Sequence, residues 1–124
     1  MTARRILLVD DNESLLENLA ELLQAEGYEV ATAVDGTVAL SLLAADPLPH
    51  VILLDLNMPG VSGREIAERI RHDPRLASIP VVLSTGLPLA QLRATVPASA
   101  FLPKPFGLKD LLATLDDVCE GAAA

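Results

Sequence analysis

Short apolar runs, each ending at a polar residue and separated by helical periodicity, constrain this chain more than any other feature. Ile6–Val9 is an unbroken apolar run that stops at Asp10-Asp11-Asn12. A run without polar alternation predicts a strand covered on both faces. Leu15, Leu16, Leu19, Leu22 and Leu23 then recur at helical spacing, and Gly27 stands where that helix stops. Tyr28–Ala33 predicts a second strand. Asp35-Gly36 opens a helix carrying Val38, Leu42 and Leu43, which Asp46-Pro47 ends. Val51–Leu54, the most hydrophobic strand, runs into Asp55. Ser62 with Glu65 three positions on has the form of a capping box, and Ile66 and Ile70 mark the buried face behind it. Pro80–Ser84 reads as a fourth strand, followed by Thr85-Gly86. Leu87–Arg93 has room for a short fourth helix, with Pro88 in its first turn. Ala100–Leu102 is a fifth strand, ahead of Pro103-Lys104-Pro105. A last helix aligns Leu108, Leu111, Leu112, Leu115 and Val118, with Gly121 behind it.

Strands and helices that alternate in this way predict an α/β domain, with a parallel sheet, right-handed crossovers and helices on both faces. Functional groups in such a sheet gather at the carboxyl ends of the strands. The residues at those ends are Asp10, Asp11, Asp55, Thr85 and Lys104. At 124 residues the chain fits one domain, 1–124 with a core over 4–119, and a fused output module is not expected within it.

Composition removes several function classes. Aromatics are 2% of the chain, so the core is aliphatic and base stacking is nearly excluded. Seventeen acidic against nine basic residues give a net charge of −8, which repels a phosphate backbone, and direct nucleic-acid binding is not expected. Cys119 has no disulfide partner, and no Cys/His spacing suggests zinc. There is no signal-peptide h-region and no apolar run near the roughly 20 residues of a membrane helix, so no membrane insertion and a cytoplasmic location are expected. His50 and His72 read as surface residues of loops, and Cys119 as a packing residue. Arg69, Arg71 and Arg75 read as a solvated face.

Three carboxylates at one rim repel each other unless cations compensate. Lys104 supplies one positive charge, and a divalent cation supplies the two that remain. Mg2+ suits an all-oxygen site that keeps waters and takes a phosphate as a further ligand. Lys104 and the Thr85 hydroxyl have the chemistry to hold phosphoryl oxygens, and one carboxylate is then available as a nucleophile. Gly86 beside Thr85 leaves the approach open. Asp10-Asp11 has a plainer reading as the cap of the first helix. Either Ser84 or Thr85 can face the site, and strand alternation together with Gly86 favours Thr85.

Four motifs, in order and at matching strand ends, carry a resemblance that runs from Arg4 to Cys119. They are Leu8-Val9-Asp10-Asp11-Asn12, Leu54-Asp55-Leu56-Asn57-Met58-Pro59-Gly60, Ser84-Thr85-Gly86 and Phe101-Leu102-Pro103-Lys104-Pro105-Phe106. On them the chain resembles the response-regulator receiver domain of bacterial two-component signalling, of the chemotaxis-regulator kind. The resemblance implies a flavodoxin-like, doubly wound (βα)5 fold with strand order 2-1-3-4-5. It implies that Asp55 is the phosphoacceptor, taking its phosphoryl group from a histidine kinase or phosphotransfer protein. Asp11, Asp55 and the backbone carbonyl of Asn57 would bind Mg2+, with Asp10 acting mainly through metal-bound water. Thr85 and Lys104 would hold the phosphoryl group, Thr85 and Phe101 would form the switch pair, Pro105 would follow a cis bond and Phe106 would anchor in the core.

The same resemblance implies a signalling switch rather than an enzyme, with only its own phosphorylation and dephosphorylation as chemistry. The protein would be a monomer or a weak phosphorylation-dependent dimer. Two departures stand out: Phe101 occupies a position that is often Tyr, and the segment between Thr85 and Lys104 is a few residues short. A phosphatase of the haloacid-dehalogenase type normally has a second Asp two residues after its nucleophile, where this chain has Asn57. A binding-only pseudo-receiver does not need Asp10, Asp11, Asp55, Thr85 and Lys104 together.

Overall fold

A computed structural model describes residues 4–56, 62–86 and 98–123. Its elements, in chain order, are β1 (Arg5–Val9), α1 (Glu13–Ala25), β2 (Glu29–Ala33), α2 (Gly36–Leu43), β3 (Val51–Asp55), α3 (Gly63–His72), β4 (Val81–Thr85), β5 (Ala100–Pro103) and α4 (Leu108–Ala123). All strand pairings are parallel, in the order β2-β1-β3-β4-β5. Both the α/β class and the strand order are those expected. The helix foreseen over Leu87–Arg93 and the loop Asn57-Met58-Pro59-Gly60 lie outside the described residues.

The apolar runs become central strands because both of their faces are covered. Every residue of β3 and β4 is buried, whereas β2, at the sheet edge, buries only Ala33 fully. Successive side chains of β1 and β3 go to opposite faces. Leu7, Val9, Ile52 and Leu54 pack with α2 and α3, through Ala39, Leu43, Ile66 and Ile70. Ile6, Leu8, Val51 and Leu53 pack with α1 and α4, through Leu16, Leu19, Leu23, Leu111 and Leu115.

The helix ends follow local chemistry. Asn12 caps α1 by accepting from the Leu15 N–H at 3.1 Å, and Asp35 caps α2 through the Val38 N–H at 2.9 Å. Gly27 ends α1 at φ +96°, a left-handed conformation that favours glycine. Ser62 accepts from the Glu65 N–H at 3.3 Å, while the Glu65 carboxylate pairs with Arg69 at 3.2 Å. The apolar stripes are wider than the buried faces. Leu22 on α1 and Val38 and Leu42 on α2 are exposed, because Leu16, Leu19 and Leu23, and Ala39 and Leu43, already fill the contact with the sheet. Helix α4 runs through Gly121 to Ala123, past the expected stop.

Candidate functional site

The carboxyl ends of β1, β3 and β4 lie side by side at one rim, because the three strands are paired in parallel. Asp10 follows β1 and its N–H donates to the Ala33 carbonyl at 3.1 Å, which keeps it in line with the sheet. Asp55 is the last residue of β3, in register with Ser84 of β4. Asp10 and Asp55 are buried and Asp11 is exposed, yet carboxylate oxygens of all three lie within 4.8 Å of one another.

Lys104 reaches this cluster from beyond β5. Its backbone N–H donates to the Thr85 carbonyl at 2.8 Å, which ties it to the end of β4. Its ammonium donates to Asp10 Oδ2 at 2.8 Å and lies 3.5 Å from Asp55 Oδ1. Burial works against the charged ammonium and is the largest single influence on it. The hydrogen bond that Lys104 donates to Asp10 and the field of Asp55 outweigh it together, and the Lys104 pKa is raised above its ordinary value. Three carboxylates face this one ammonium, and a divalent cation would balance the two remaining charges. The donor set is all oxygen and suits a hard cation such as Mg2+.

Asp10 does not cap α1, since Asn12 does. Asp10 Oδ1 instead accepts from the Asn12 N–H at 2.9 Å, which fixes the carboxylate at the rim and leaves its other oxygen for Lys104. Thr85 is buried at the end of β4. Leu83 pairs with Phe101 and Thr85 with Pro103, so Thr85 and Phe101 share one face of neighbouring strands. Phe101 packs half-buried against the α2/α3 core. The Lys104–Pro105 peptide is cis, as is Asp46–Pro47. Phe106 packs half-buried against the α1/α4 core. The Asn57 carbonyl, a ligand implied by the resemblance, lies outside the described residues.

Two residues escaped the reading of the sequence. Gly63, the first residue of α3, sits where a Cβ would press on the backbone of Asp55 and Leu56. A glycine directly after the capping Ser62, at a position where glycine is a poor helix former, was the available signal. His50 is exposed, as expected of a surface histidine, yet it also has a structural contact. Its Nδ1 accepts the Arg5 N–H at 2.8 Å and so satisfies the first donor of β1. A spacing of 45 residues leaves no local pattern for that contact. His72 is exposed, 3.5 Å from Glu68, as a surface histidine would be.

Comparison with known proteins gives a consistent picture. Residues 6–116 match the response regulator receiver domain family. The response regulator PleD of Caulobacter vibrioides is 49% identical over 83 residues, which is 67% of this chain and 18% of PleD. The DNA-binding dual master transcriptional regulator RpaA of Synechocystis is 36% identical over 114 residues, 88% of this chain and 46% of RpaA. The chain thus spans less than half the length of either. Among solved structures, chemotaxis protein CheY4 of Vibrio cholerae superposes with a TM-score of 0.86 at 33% identity, covering 94% of this chain and 99% of CheY4. A response regulator from Chloroflexus aurantiacus does so with a TM-score of 0.88 at 28% identity, covering 96% and 99%.

Proposed function

The chain belongs to the response regulator receiver domain family, and on that premise we propose that Asp55 accepts a phosphoryl group from a phosphohistidine of a histidine kinase or phosphotransfer protein. One observation carries the reading: Lys104 spans Asp10 and Asp55 at 2.8 and 3.5 Å inside a cluster of three carboxylates. That arrangement serves phosphoryl transfer, in which the protein contributes placement and positive charge more than covalent chemistry.

Mg2+ would be held by Asp11, Asp55 and the Asn57 carbonyl, with Asp10 acting through a bound water. When bound, it would neutralise charge on the phosphoryl oxygens. In the transfer an Asp55 oxygen bonds to phosphorus, the phosphorus–nitrogen bond of the donor breaks, and its electron pair returns to the imidazole. The Lys104 ammonium meets the negative charge that develops on the phosphoryl group, and the Thr85 hydroxyl donates to one of its oxygens. Repositioning of Thr85 is felt by Phe101 on the same sheet face. Phe101 has no hydroxyl, so this coupling works through packing alone.

The chain is one receiver domain, residues 1–124, that acts by changing its partner-binding surface. Its own phosphorylation and dephosphorylation are its only chemistry. It works in the cytoplasm as a monomer or a weak phosphorylation-dependent dimer. Its net charge of −8 argues against direct contact with nucleic acid. Among the described residues no helix is long and apolar enough to cross a membrane.

Incubation with acetyl phosphate and Mg2+, followed by intact mass and peptide mapping, should place one phosphoryl group on Asp55. Asp55→Asn should take up none, and a phosphoryl group on another residue would overturn the assignment. With beryllofluoride and Mg2+, NMR signals around Asp55, Thr85 and Phe101 should move. Unchanged spectra at saturating reagent would end the switch reading.

A further inference from the structure

On the α1/α4 side of the sheet, a cavity of about 10 Å3 lies against Asp10 and Asp55, walled by Leu16, Leu53 and Phe106. Ser84 opens into the same space. Its register with Asp55 and the alternation of β4 put its side chain on the face opposite to Thr85. Ser84 is 2% exposed, and its hydroxyl is the one fully buried side-chain polar atom without a hydrogen-bond partner among the described residues. Buried polar groups are almost always satisfied, often by an ordered water.

We infer that this cavity is a water site and that Ser84 is a positioning residue for Asp55. The volume suits a single water molecule, and the walls offer the two to four polar partners a buried water requires. The water accepts from the Ser84 O–H and donates its two hydrogens to the carboxylates of Asp10 and Asp55. A carboxylate oxygen accepts more than one hydrogen bond, so the contact of Asp10 with Lys104 does not compete. The two buried acids are then held by Lys104 and, separately, by a neutral donor. The water site stands on this geometry alone; its kinetic consequence rests on Asp55 being the phosphoacceptor.

The consequence concerns loss of the phosphoryl group. A solvent water oxygen bonds to phosphorus, the bond from phosphorus to the Asp55 oxygen breaks, and its electron pair returns to the carboxylate. The attacking water's proton leaves with inorganic phosphate. The buried water takes no part in the attack. It donates to the carboxylate as charge builds there, which assists departure. Removing its anchor therefore lengthens the life of the phosphorylated state.

The test compares the wild-type chain with Ser84→Ala and Ser84→Val. A high-resolution crystal structure and water–protein NOEs should show one ordered water between Ser84, Asp10 and Asp55 in the wild type, and none in Ser84→Val, whose methyls fill the space. After phosphorylation with acetyl phosphate and removal of the donor, Ser84→Ala should dephosphorylate about fivefold more slowly, the effect of one neutral hydrogen bond. A dry cavity in the wild type overturns the water site. A water present with an unchanged lifetime in Ser84→Ala overturns the positioning role. A wild-type chain that takes up no phosphoryl group on Asp55 defeats the phosphoacceptor reading, while the crystal and NOE measurements still decide the water site.

Discussion

Replacing Gly63 by Ala should loosen the seam between α3 and the end of β3. A Cβ at position 63 would stand 2.7 Å from the Leu56 Cα and 3.0 Å from the Asp55 carbonyl carbon, and closer still to the Asp55 carbonyl oxygen. Ordinary contact begins near 3.4 Å, so the start of α3 must retreat by at least roughly 0.7 Å. All three obstructing atoms are backbone, so no side chain can rotate away. The retreat also stretches the 3.2 Å hydrogen bond from the Gly63 N–H to the Leu56 carbonyl. Overpacking of this kind costs about 1–3 kcal/mol, and rigid neighbours put it at the upper end. Alanine regains up to about 1 kcal/mol of helix propensity. The net expectation is a loss of about 2 kcal/mol, or roughly 8 °C in Tm for a domain of this size.

The assay is thermal and urea unfolding followed by circular dichroism, since the chain has no Trp. Gly86→Ala and Gly107→Ala serve as controls. Among the described residues, a Cβ at either site meets nothing within 4 Å and neither φ is left-handed, so both should stay within about 0.5 kcal/mol of wild type. Because the displaced backbone belongs to Asp55, Gly63→Ala should also slow uptake of phosphate from acetyl phosphate. A Gly63→Ala protein as stable as the two controls would refute the close approach.

Lys104→Met leaves the buried carboxylates of Asp10 and Asp55 without their shared cation, and should cost about 1–3 kcal/mol at pH 7. Millimolar Mg2+ should restore more stability to this variant than it adds to wild type, as read by unfolding with and without the metal. An equal response in both proteins would show that metal and ammonium do not share the cluster. Alkaline pH should destabilise the fold. Burial raises the pKa of Cys119 and Tyr28 above their ordinary 9.0 and 10.0, and the acid pair outweighs burial to raise that of Lys104 above 10.5. A folded pKa above the unfolded one gives stability that is fully present below the unfolded value and lost as pH rises through the folded one. The urea midpoint should therefore hold from pH 7 to about 8.5 and then fall toward pH 11, and a rising midpoint over that window would contradict these environments.

The central strands, the stop at Gly27 and the three rim acids were legible because each is written in a contiguous stretch. Ile6–Val9 and Val51–Leu54 are apolar without alternation, which has few explanations besides coverage on both faces. The cap of α1 was harder, since Asp10, Asp11 and Asn12 are all good capping residues and only the geometry assigns that task to Asn12. Leu22, Val38 and Leu42 lie on the apolar stripes yet are exposed, because hydrophobic periodicity reports the apolar side of a helix and not how much of it the sheet can cover. His50 and Gly63 stayed hidden for a different reason. Their roles are contacts with Arg5 and with Asp55 and Leu56, segments that only the folded chain brings beside them.

Ser84-Thr85 shows what the fold adds to a choice between two neighbouring hydroxyls. Strand alternation favoured Thr85 for the rim and treated the two hydroxyls as competitors for one place. Pairing in register gives each its own face. Thr85 shares one side of the sheet with Leu83 and Phe101, where α2 and α3 pack. Ser84 shares the other with Leu53 and Leu102, where α1 and α4 pack, and opens toward Asp10 and Asp55. Adjacent hydroxyls on one strand can thus divide two tasks, answering to the phosphoryl group and holding the carboxylate that carries it. The division is testable by exchange. A double variant combining Ser84→Thr with Thr85→Ser keeps both hydroxyls and moves only a methyl group from the Phe101 face to the cavity face. It should expel the buried water and weaken packing against Phe101, while Asp55 still takes up its phosphoryl group.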